Sequence, residues 1–328
     1  MKQLSLFILS AAISLLASCI QNQLPGGTPS AGTGLYVDAA IMDAGSHTGT
    51  EIVTRAANDA VPVTKGSLGI FRSQSVGYAS AAVNKQYTYT GGEWQPATDQ
   101  DVIYLNGDNA DVCAYYPYNN SYVDKAAIPL ISGRYTGTAD THDPNDLCYD
   151  IDRTMNGVQC TTTFGMKHAL AWLEFSIAKE TGYTAECHIT SIIIQNPEMI
   201  ATSTIDITDG TYSIAPVKGT VTYNPGPDVG GIQIEATPIT TGALLVPFTP
   251  TAAGLSVSFT VNGTPMTITI ACAAPTGITN VEAGHRYTVK LTVKATSIQV
   301  TGVDMMPWVE TGVGGDDCIW YPTQDPIP

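Results

Sequence analysis

The sequence is poor in charged residues, and basic residues are the scarcest of them. Only 13% of the 328 residues are charged, and 14 Lys plus Arg stand against 29 Asp plus Glu, for a formal net charge of −15. A chain this acidic is repelled by phosphate backbones and by anionic lipid head groups. The composition therefore predicts no nucleic-acid partner and is typical of a protein kept soluble at a cell surface.

The sequence also lacks the short motifs that would indicate catalysis. It contains no G-x-S-x-G elbow, no H-E-x-x-H pair and no P-loop. Acidic pairs such as Asp316-Asp317 could in principle serve a glycosidase, but their separation in space is not given by the sequence. We therefore predict a protein that is not an enzyme and has no catalytic residues and no cofactor. The five histidines are scattered along the chain: His47, His142, His168, His188 and His285.

Cysteine is sparse, and no C-x-x-C or Cys/His spacing suggests a zinc site. Apart from Cys19, six cysteines leave up to three disulfides and buried thiols equally open. An acidic segment, which holds His142 and the carboxylates from Asp140 to Asp152, could supply oxygen ligands for Ca²⁺. The spacing of these residues does not match an EF-hand loop. We therefore predict that the segment is a solvated surface loop and binds no metal. The six cysteines are Cys113, Cys148, Cys160, Cys187, Cys272 and Cys318.

No hydrophobic run is long enough to span a bilayer. The longest, Leu4 to Leu16, follows the basic Lys2 and has the length of a signal-peptide core. It ends in Leu16-Ala17-Ser18-Cys19, which resembles a bacterial lipobox whose Cys is diacylated. We predict a signal peptide over residues 1–18 and lipidation of Cys19, which would anchor the chain without a transmembrane helix. An ordinary cleavage site followed by a chance Cys is the alternative, and the absence of Asp after Cys19 resembles lipoproteins of the outer membrane.

The chain shows no amphipathic helical period of ten or more residues, whereas alternating strand patterns are frequent. With 31 Gly and 20 Pro, they predict an all-β fold of short strands and turns. Gly91-Gly92 and Asn262-Gly263 each separate two alternating runs, which predicts hairpins. Residues 119–163 are interpreted as irregular and polar. We therefore predict two β-sandwich-like domains, residues 56–164 and 165–328.

The clearest alternating run lies near the N-terminus. Leu35, Val37, Ala39 and Ile41 fall on one face, which predicts a half-buried strand. The loop that follows leads to Arg55, and a trypsin-like protease cutting between Arg55 and Ala56 would release residues 19–55. If the strand belongs to the core, the cut would open a groove for another chain.

Several motifs in order resemble the fimbrillin family of Bacteroidales, the Mfa-like subunits of type V pili. They cover most of the chain, each one weak alone and their order moderately specific. They are the lipobox at Cys19, Thr54-Arg55-Ala56, Ala114-Tyr115-Tyr116-Pro117-Tyr118, Asp146-Leu147, His168-Ala169-Leu170, and Ala283-Gly284-His285-Arg286-Tyr287-Thr288-Val289 with Trp308.

The resemblance implies two transthyretin-like (Greek-key sandwich) β-domains and an outer-membrane lipoprotein precursor cleaved by an arginine-specific protease. It also implies a surface fimbria in which a C-terminal strand of one subunit fills the groove of the next. The candidate donor runs from Ile298 through Val300 to Trp308, although this segment could equally be the last strand of its own domain. The tail prolines Pro322, Pro326 and Pro328 cannot extend a ladder, which keeps a tip or accessory role open.

Two rival functions remain open at this stage: a catalyst, and a lipoprotein that never polymerises. The second would bind a glycan or a host protein through aromatic side chains, which could equally well be core. The aromatic residues in question are Trp94, Tyr115, Tyr116, Tyr118 and Trp320.

Overall fold

The computed structural model describes residues 32–42, 60–138, 141–213, 215–227, 229–272 and 277–308. These residues form β-strands joined by turns, with one short 3-10 helix at Asp99–Asp101. The all-β prediction is confirmed. No helix among the described residues has the length and apolar character needed to cross a membrane.

The strands are short and number 24 in the described part of the chain. In chain order they are β1 (Thr33–Gly34), β2 (Tyr36–Met42), β3 (Ala60–Pro62), β4 (Ser67–Arg72), β5 (Ala82–Thr90), β6 (Glu93–Pro96), β7 (Tyr104–Leu105), β8 (Ala110–Tyr116), β9 (Ile128–Ile131), β10 (Gly133–Arg134), β11 (Cys148–Met155), β12 (Thr161–His168), β13 (Ala171–Lys179), β14 (His188–Gln195), β15 (Ile200–Asp206), β16 (Thr211–Tyr212), β17 (Val217–Lys218), β18 (Val221–Tyr223), β19 (Ile232–Gln233), β20 (Ile239–Leu245), β21 (Leu255–Val261), β22 (Thr264–Ile270), β23 (His285–Val293) and β24 (Ile298–Pro307).

One large sheet gathers the N-terminal strands. Its eight strands lie in the order β3-β2-β12-β11-β8-β4-β5-β6. All neighbours in it are antiparallel except β2 and β12, which run parallel from Tyr36 opposite Thr161 to Ile41 opposite Met166. A parallel pair needs a long crossover connection, and here the chain between the two strands builds most of the sheet.

Two five-stranded sheets are built mainly from the C-terminal half. One has the order β10-β20-β13-β23-β24, and the other places β14 between β18 and β21, with β22 at the edge and β19 also on β14. The side chains that face each other between them form a single apolar core, which includes Phe175 and Phe259 with ring centroids 5.4 Å apart. A smaller sheet is centred on β15, which pairs with β16, β17 and β9.

A second and a third core complete the molecule. The second lies on one face of the large sheet and contains Tyr87, Trp94 and Phe164. The third, here called the shared core, joins residues from both halves of the chain, among them Tyr115, Leu170, Leu244 and Trp308.

Strands β9 and β10 also link the two halves, since they precede residue 164 but pair with β15 and β20. The large sheet ends at His168 and the next strand begins at Ala171. The division into 56–164 and 165–328 stays a prediction.

The interpretation of residues 119–163 as irregular is wrong. This stretch holds β9, β10, β11 and the start of β12. Sequence patterns do not reveal these strands because a polar residue takes a buried position and the pairing is irregular: β11 buries Asp150 beside Cys148 and Tyr149, and its register against β8 shifts between Asp150 and Arg153.

Candidate assembly site

Strand β2 fills a slot inside the large sheet. It lies between β3 and β12, with its apolar face on the second core. Leu35, Val37, Ala39 and Ile41 are only 3–6% exposed, whereas Tyr36 between them is 47% exposed. The predicted half-buried strand is therefore observed, with the predicted face turned inward.

Backbone hydrogen bonds hold both sides and the start of this strand. Tyr36 N donates to Cys160 O at 2.8 Å, and Val63 N donates to Ala39 O at 2.9 Å on the other side. Just before the strand, Leu35 N donates to Ile103 O at 2.8 Å. Removing β2 would leave a row of unpaired peptide groups along β12 as well as an apolar trough.

The predicted processing residues border this strand in sequence. Arg55 and Ala56 belong to the connection 43–59 between β2 and β3, and this connection lies outside the described residues, as does Cys19. Since β2 and β3 are antiparallel neighbours, a cut in the connection would leave β3 on the main chain and β2 on the released piece.

The candidate donor residues lie in or directly after β24, the last described strand of their own subunit. β24 pairs with β23 along its whole length, from Ile298 opposite Val293 to Pro307 opposite His285. Ile298 and Val300 pack partly buried against the C-terminal core. Trp308 is 2% exposed, and its ring stacks on that of His168 at 3.9 Å between centroids. Within the described residues, the outer edge of β24 has no partner strand.

Most of the aromatic residues considered for a binding platform are core residues instead. Trp94, Tyr115 and Tyr116 are at most 6% exposed, and Tyr118 is partly buried against the shared core. The Tyr115 hydroxyl donates to Asn84 Oδ1 at 2.7 Å and accepts from Asn119 N at 3.1 Å. Burial raises the pKa of Tyr115 above its usual value. Trp320 lies outside the described residues.

The acidic segment is not a solvated loop, so that prediction is wrong for three of its carboxylates. Asp143 and Asp146 are fully buried and Asp150 is 7% exposed. Asp143 accepts hydrogen bonds from Thr136 N at 2.5 Å and from Asn145 N at 2.8 Å, so protein donors occupy its oxygens. Asp150 accepts from Gly165 N at 2.9 Å, and its burial raises its pKa while the nearby Arg153 opposes that rise.

Around Asp146 the fold assembles a polar cluster that the sequence analysis did not anticipate. His168 Nδ1 lies 3.0 Å from Asp146 Oδ1, and His142 Nε2 lies 3.4 Å from Asp146 Oδ2. Cys148 Sγ is 3.4 Å from His168 Nδ1. His142, Asp146 and Cys148 fall within seven residues of one another, but only the pairing of β11 with β12 brings in His168, so this arrangement has no local signature in sequence.

Comparison with known proteins decides the family. A sequence model of the family described as Fimbrillin-like matches residues 54–308. The chain belongs to the fimbrillin-like family. The predicted resemblance is thereby confirmed, and membership places this chain among subunits of cell-surface fimbriae. No curated protein is a significant match to the sequence.

Solved structures show that this fimbrillin-like chain shares its fold with proteins from species of Bacteroides. A candidate cell adhesion protein of Bacteroides uniformis superposes with a TM-score of 0.57 at 17% identity, covering 86% of this chain and 100% of the other. One of Bacteroides ovatus gives 0.54 at 17% identity, covering 84% and 97%. At this identity the likeness concerns the fold alone.

Proposed function

We propose that the chain is a fimbrial subunit that is exported as a lipoprotein precursor and activated by losing its first strand. Cys19 carries the lipid that tethers the precursor to the outer membrane, and an arginine-specific protease cleaves between Arg55 and Ala56. The released piece takes β2 with it. A strand from another subunit then occupies the vacated slot beside β12.

The position of β2 carries this proposal. A single cut can remove a strand that lies ahead of the other strands of its sheet in the chain, sits inside that sheet and is followed by a connection that contains a basic residue. Losing Leu35, Val37 and Ile41 from the core would cost on the order of 5–9 kcal/mol, at about 1.5–3 kcal/mol for each side chain. The emptied subunit is therefore strongly driven to accept a replacement.

The slot defines what can replace β2. An incoming strand has to run beside β12 and pair its backbone with it, while alternate apolar side chains enter the trough. The four positions filled by Leu35, Val37, Ala39 and Ile41 require an apolar side chain at every second residue, and the third of these side chains is small. A strand with charged residues at those positions would bury them without partners and be rejected.

The donor role of Ile298, Val300 and Trp308 has a cost that the acceptor role lacks. To serve a neighbour, this segment would have to leave β23 and withdraw Trp308 from the shared core. The acceptor function is thus better supported than the donor function. A tip or accessory subunit, which accepts a strand without donating one, fits this asymmetry.

The test is to follow processing and assembly of Arg55→Ala beside a matched control, Lys65→Ala, which removes a basic residue on the exposed turn just after β3. In wild type and in the control, we expect surface protein that begins at Ala56 and is built into fimbriae. In Arg55→Ala, we expect a folded, exported chain that retains acylated Cys19 and stays monomeric.

N-terminal sequencing and intact-mass measurement of surface protein distinguish the outcomes. Normal polymers from Arg55→Ala would refute cleavage at this site. Wild-type protein that keeps acylated Cys19 as its final N-terminus would refute strand removal and favour a membrane-retained lipoprotein that binds a surface glycan or host protein.

A further inference from the structure

We propose that His142, Asp146 and Cys148 form a binding site for one divalent d-block cation of the zinc class. One ligand atom from each residue lies within 4.8 Å of the other two. The inference does not depend on how the subunit assembles.

The donor set favours zinc over calcium. An imidazole nitrogen, a carboxylate oxygen and a thiolate are all ligands of structural or catalytic zinc, whereas calcium takes oxygen ligands almost alone. The thiolate and the carboxylate together carry two negative charges, which a divalent cation neutralises. Such neutrality matters here because the side chains of His142 and Asp146 are 3% and 0% exposed and Cys148 is fully buried.

The distances are close to those of a tetrahedral site. Zinc–ligand bonds of roughly 2.0–2.3 Å place neighbouring ligand atoms roughly 3.3–3.8 Å apart. His142 Nε2 and Asp146 Oδ2 are 3.4 Å apart, which fits once Nε2 exchanges its present hydrogen bond to Asp146 O, at 2.7 Å, for the metal and the ring proton moves to Nδ1. The largest separation, at most 4.8 Å, has to shorten by about an ångström, a change within reach of a side-chain torsion.

The second observation concerns the two oxygens of Asp146. Oδ1 is held by His168 Nδ1 at 3.0 Å, whereas Oδ2 is buried and, among the described residues, has His142 Nε2 as an ion-pair contact at 3.4 Å but no donor in hydrogen-bonding geometry. A buried carboxylate oxygen without a donor carries a desolvation penalty that a cation would remove. His168 is then a positioning residue, which fixes the carboxylate through one oxygen and leaves the other for the metal.

Binding would connect parts of the chain that meet at the shared core. His142 lies in the segment before β11, Cys148 begins β11, and His168 ends β12 and stacks on Trp308 after β24. A cation at Asp146 would therefore tie the segment before β11 to the large sheet beside the end of the last strand. On binding, the Cys148 thiol releases its proton to solvent as the S–metal bond forms.

The experiment uses the full chain, stripped of metal with a chelator and titrated with Zn²⁺ alone in a calorimeter. We expect one ion per chain for wild type and for Cys272→Ser. The Cys272 variant is the control, because it alters a buried thiol in the core between the two five-stranded sheets. His142→Asn and Cys148→Ser each remove a ligand and should weaken binding by roughly ten-fold or more, at least the loss that changing an outer-shell partner of a ligand produces. No binding by wild type, or equal binding by all four proteins, would overturn the proposal.

A measurement on wild type alone guards against variants that fail to fold. X-ray absorption of the zinc-loaded chain should show one sulfur at about 2.3 Å together with nitrogen or oxygen at about 2.0–2.2 Å. A first shell without sulfur would rule out Cys148 as a ligand and overturn the site as proposed.

Discussion

At the scale of single residues, the ion pair between the buried Glu174 and the partly exposed Arg286 shows how the C-terminal sheet accommodates charge. The Arg286 guanidinium lies 2.5 Å from Glu174 Oε2 and 4.3 Å from the Trp172 ring centroid, and Thr288 Oγ1 donates to the other carboxylate oxygen. The Glu174 side chain is 4% exposed. Its charge is tolerated only because each oxygen has a donor.

Arg286→Met tests this arrangement. It leaves the Glu174 carboxylate buried without its cation, and we expect a loss of about 3–5 kcal/mol in the free energy of unfolding, measured by urea denaturation. Lys290→Met is the matched control on the same strand, because the Lys290–Asp304 pair is about half exposed and should contribute only about 0–1 kcal/mol. If the two variants lose the same free energy of unfolding, burial of the carboxylate does not determine how much each ion pair contributes.

At the scale of elements, local turns explain which parts of the fold are readable from sequence. Asn262 and Gly263 join β21 and β22 with φ angles of +47° and +80°, the left-handed values that a tight hairpin demands. Strict alternation on both sides of that turn fixes the register. Such hairpins are predictable because partner strands are adjacent in the chain.

Gly263→Ala should lower the free energy of unfolding by about 1–2 kcal/mol, since a side chain at positive φ meets the following carbonyl oxygen. The added methyl itself has open space around it among the described residues. Any loss in the free energy of unfolding therefore comes from backbone strain at this turn. Gly107→Ala, which likewise has open space but is not at positive φ, should be nearly neutral. A neutral Gly263→Ala in chemical denaturation would contradict the turn conformation.

Non-local pairing marks the limit of the sequence analysis. The burial face of β2 followed from alternation, but its partner β12 begins at Thr161, and nothing near Leu35 or Val37 specifies that strand or its parallel direction. The polar cluster was missed for the same reason. His168 looks like one more polar residue until β11 pairs with β12 and brings it to Asp146 and Cys148.

At the scale of the whole molecule, the shared core joins the N-terminal and C-terminal halves, because residues of both pack into it. It takes Phe71 and Tyr115 from the N-terminal sheet, and Leu244 and Trp308 from the C-terminal half. Trp308 is central to it, with its ring centroid 3.9 Å from that of His168 and 5.3 Å from that of Trp172. We infer that the halves unfold together because neither completes this core alone.

Trp308→Ala should therefore do more than lower stability. Beyond the roughly 3–5 kcal/mol expected for truncating a buried Trp, it should split one calorimetric transition into two as the halves decouple. Ile268→Ala is the comparison, because it weakens a core that belongs to the C-terminal half alone. A single sharp transition at lower temperature in both variants would mean that other contacts couple the halves.

The covalent link between β2 and β3 also affects the competition between β2 and an incoming strand for the slot beside β12. In the proposed maturation, β2 is covalently tethered while residues 43–59 are intact, so it competes for its slot as an intramolecular ligand, and tethered modules reach effective concentrations of about a millimolar. No strand from a dilute neighbour displaces a tethered one under those conditions. A single hydrolysed peptide bond removes the tether and leaves every contact in place, so that each spontaneous opening of β2 becomes a chance for it to diffuse away. In the proposed maturation, cleavage of the connection therefore determines when the subunit becomes receptive, whereas the slot determines which strand it accepts.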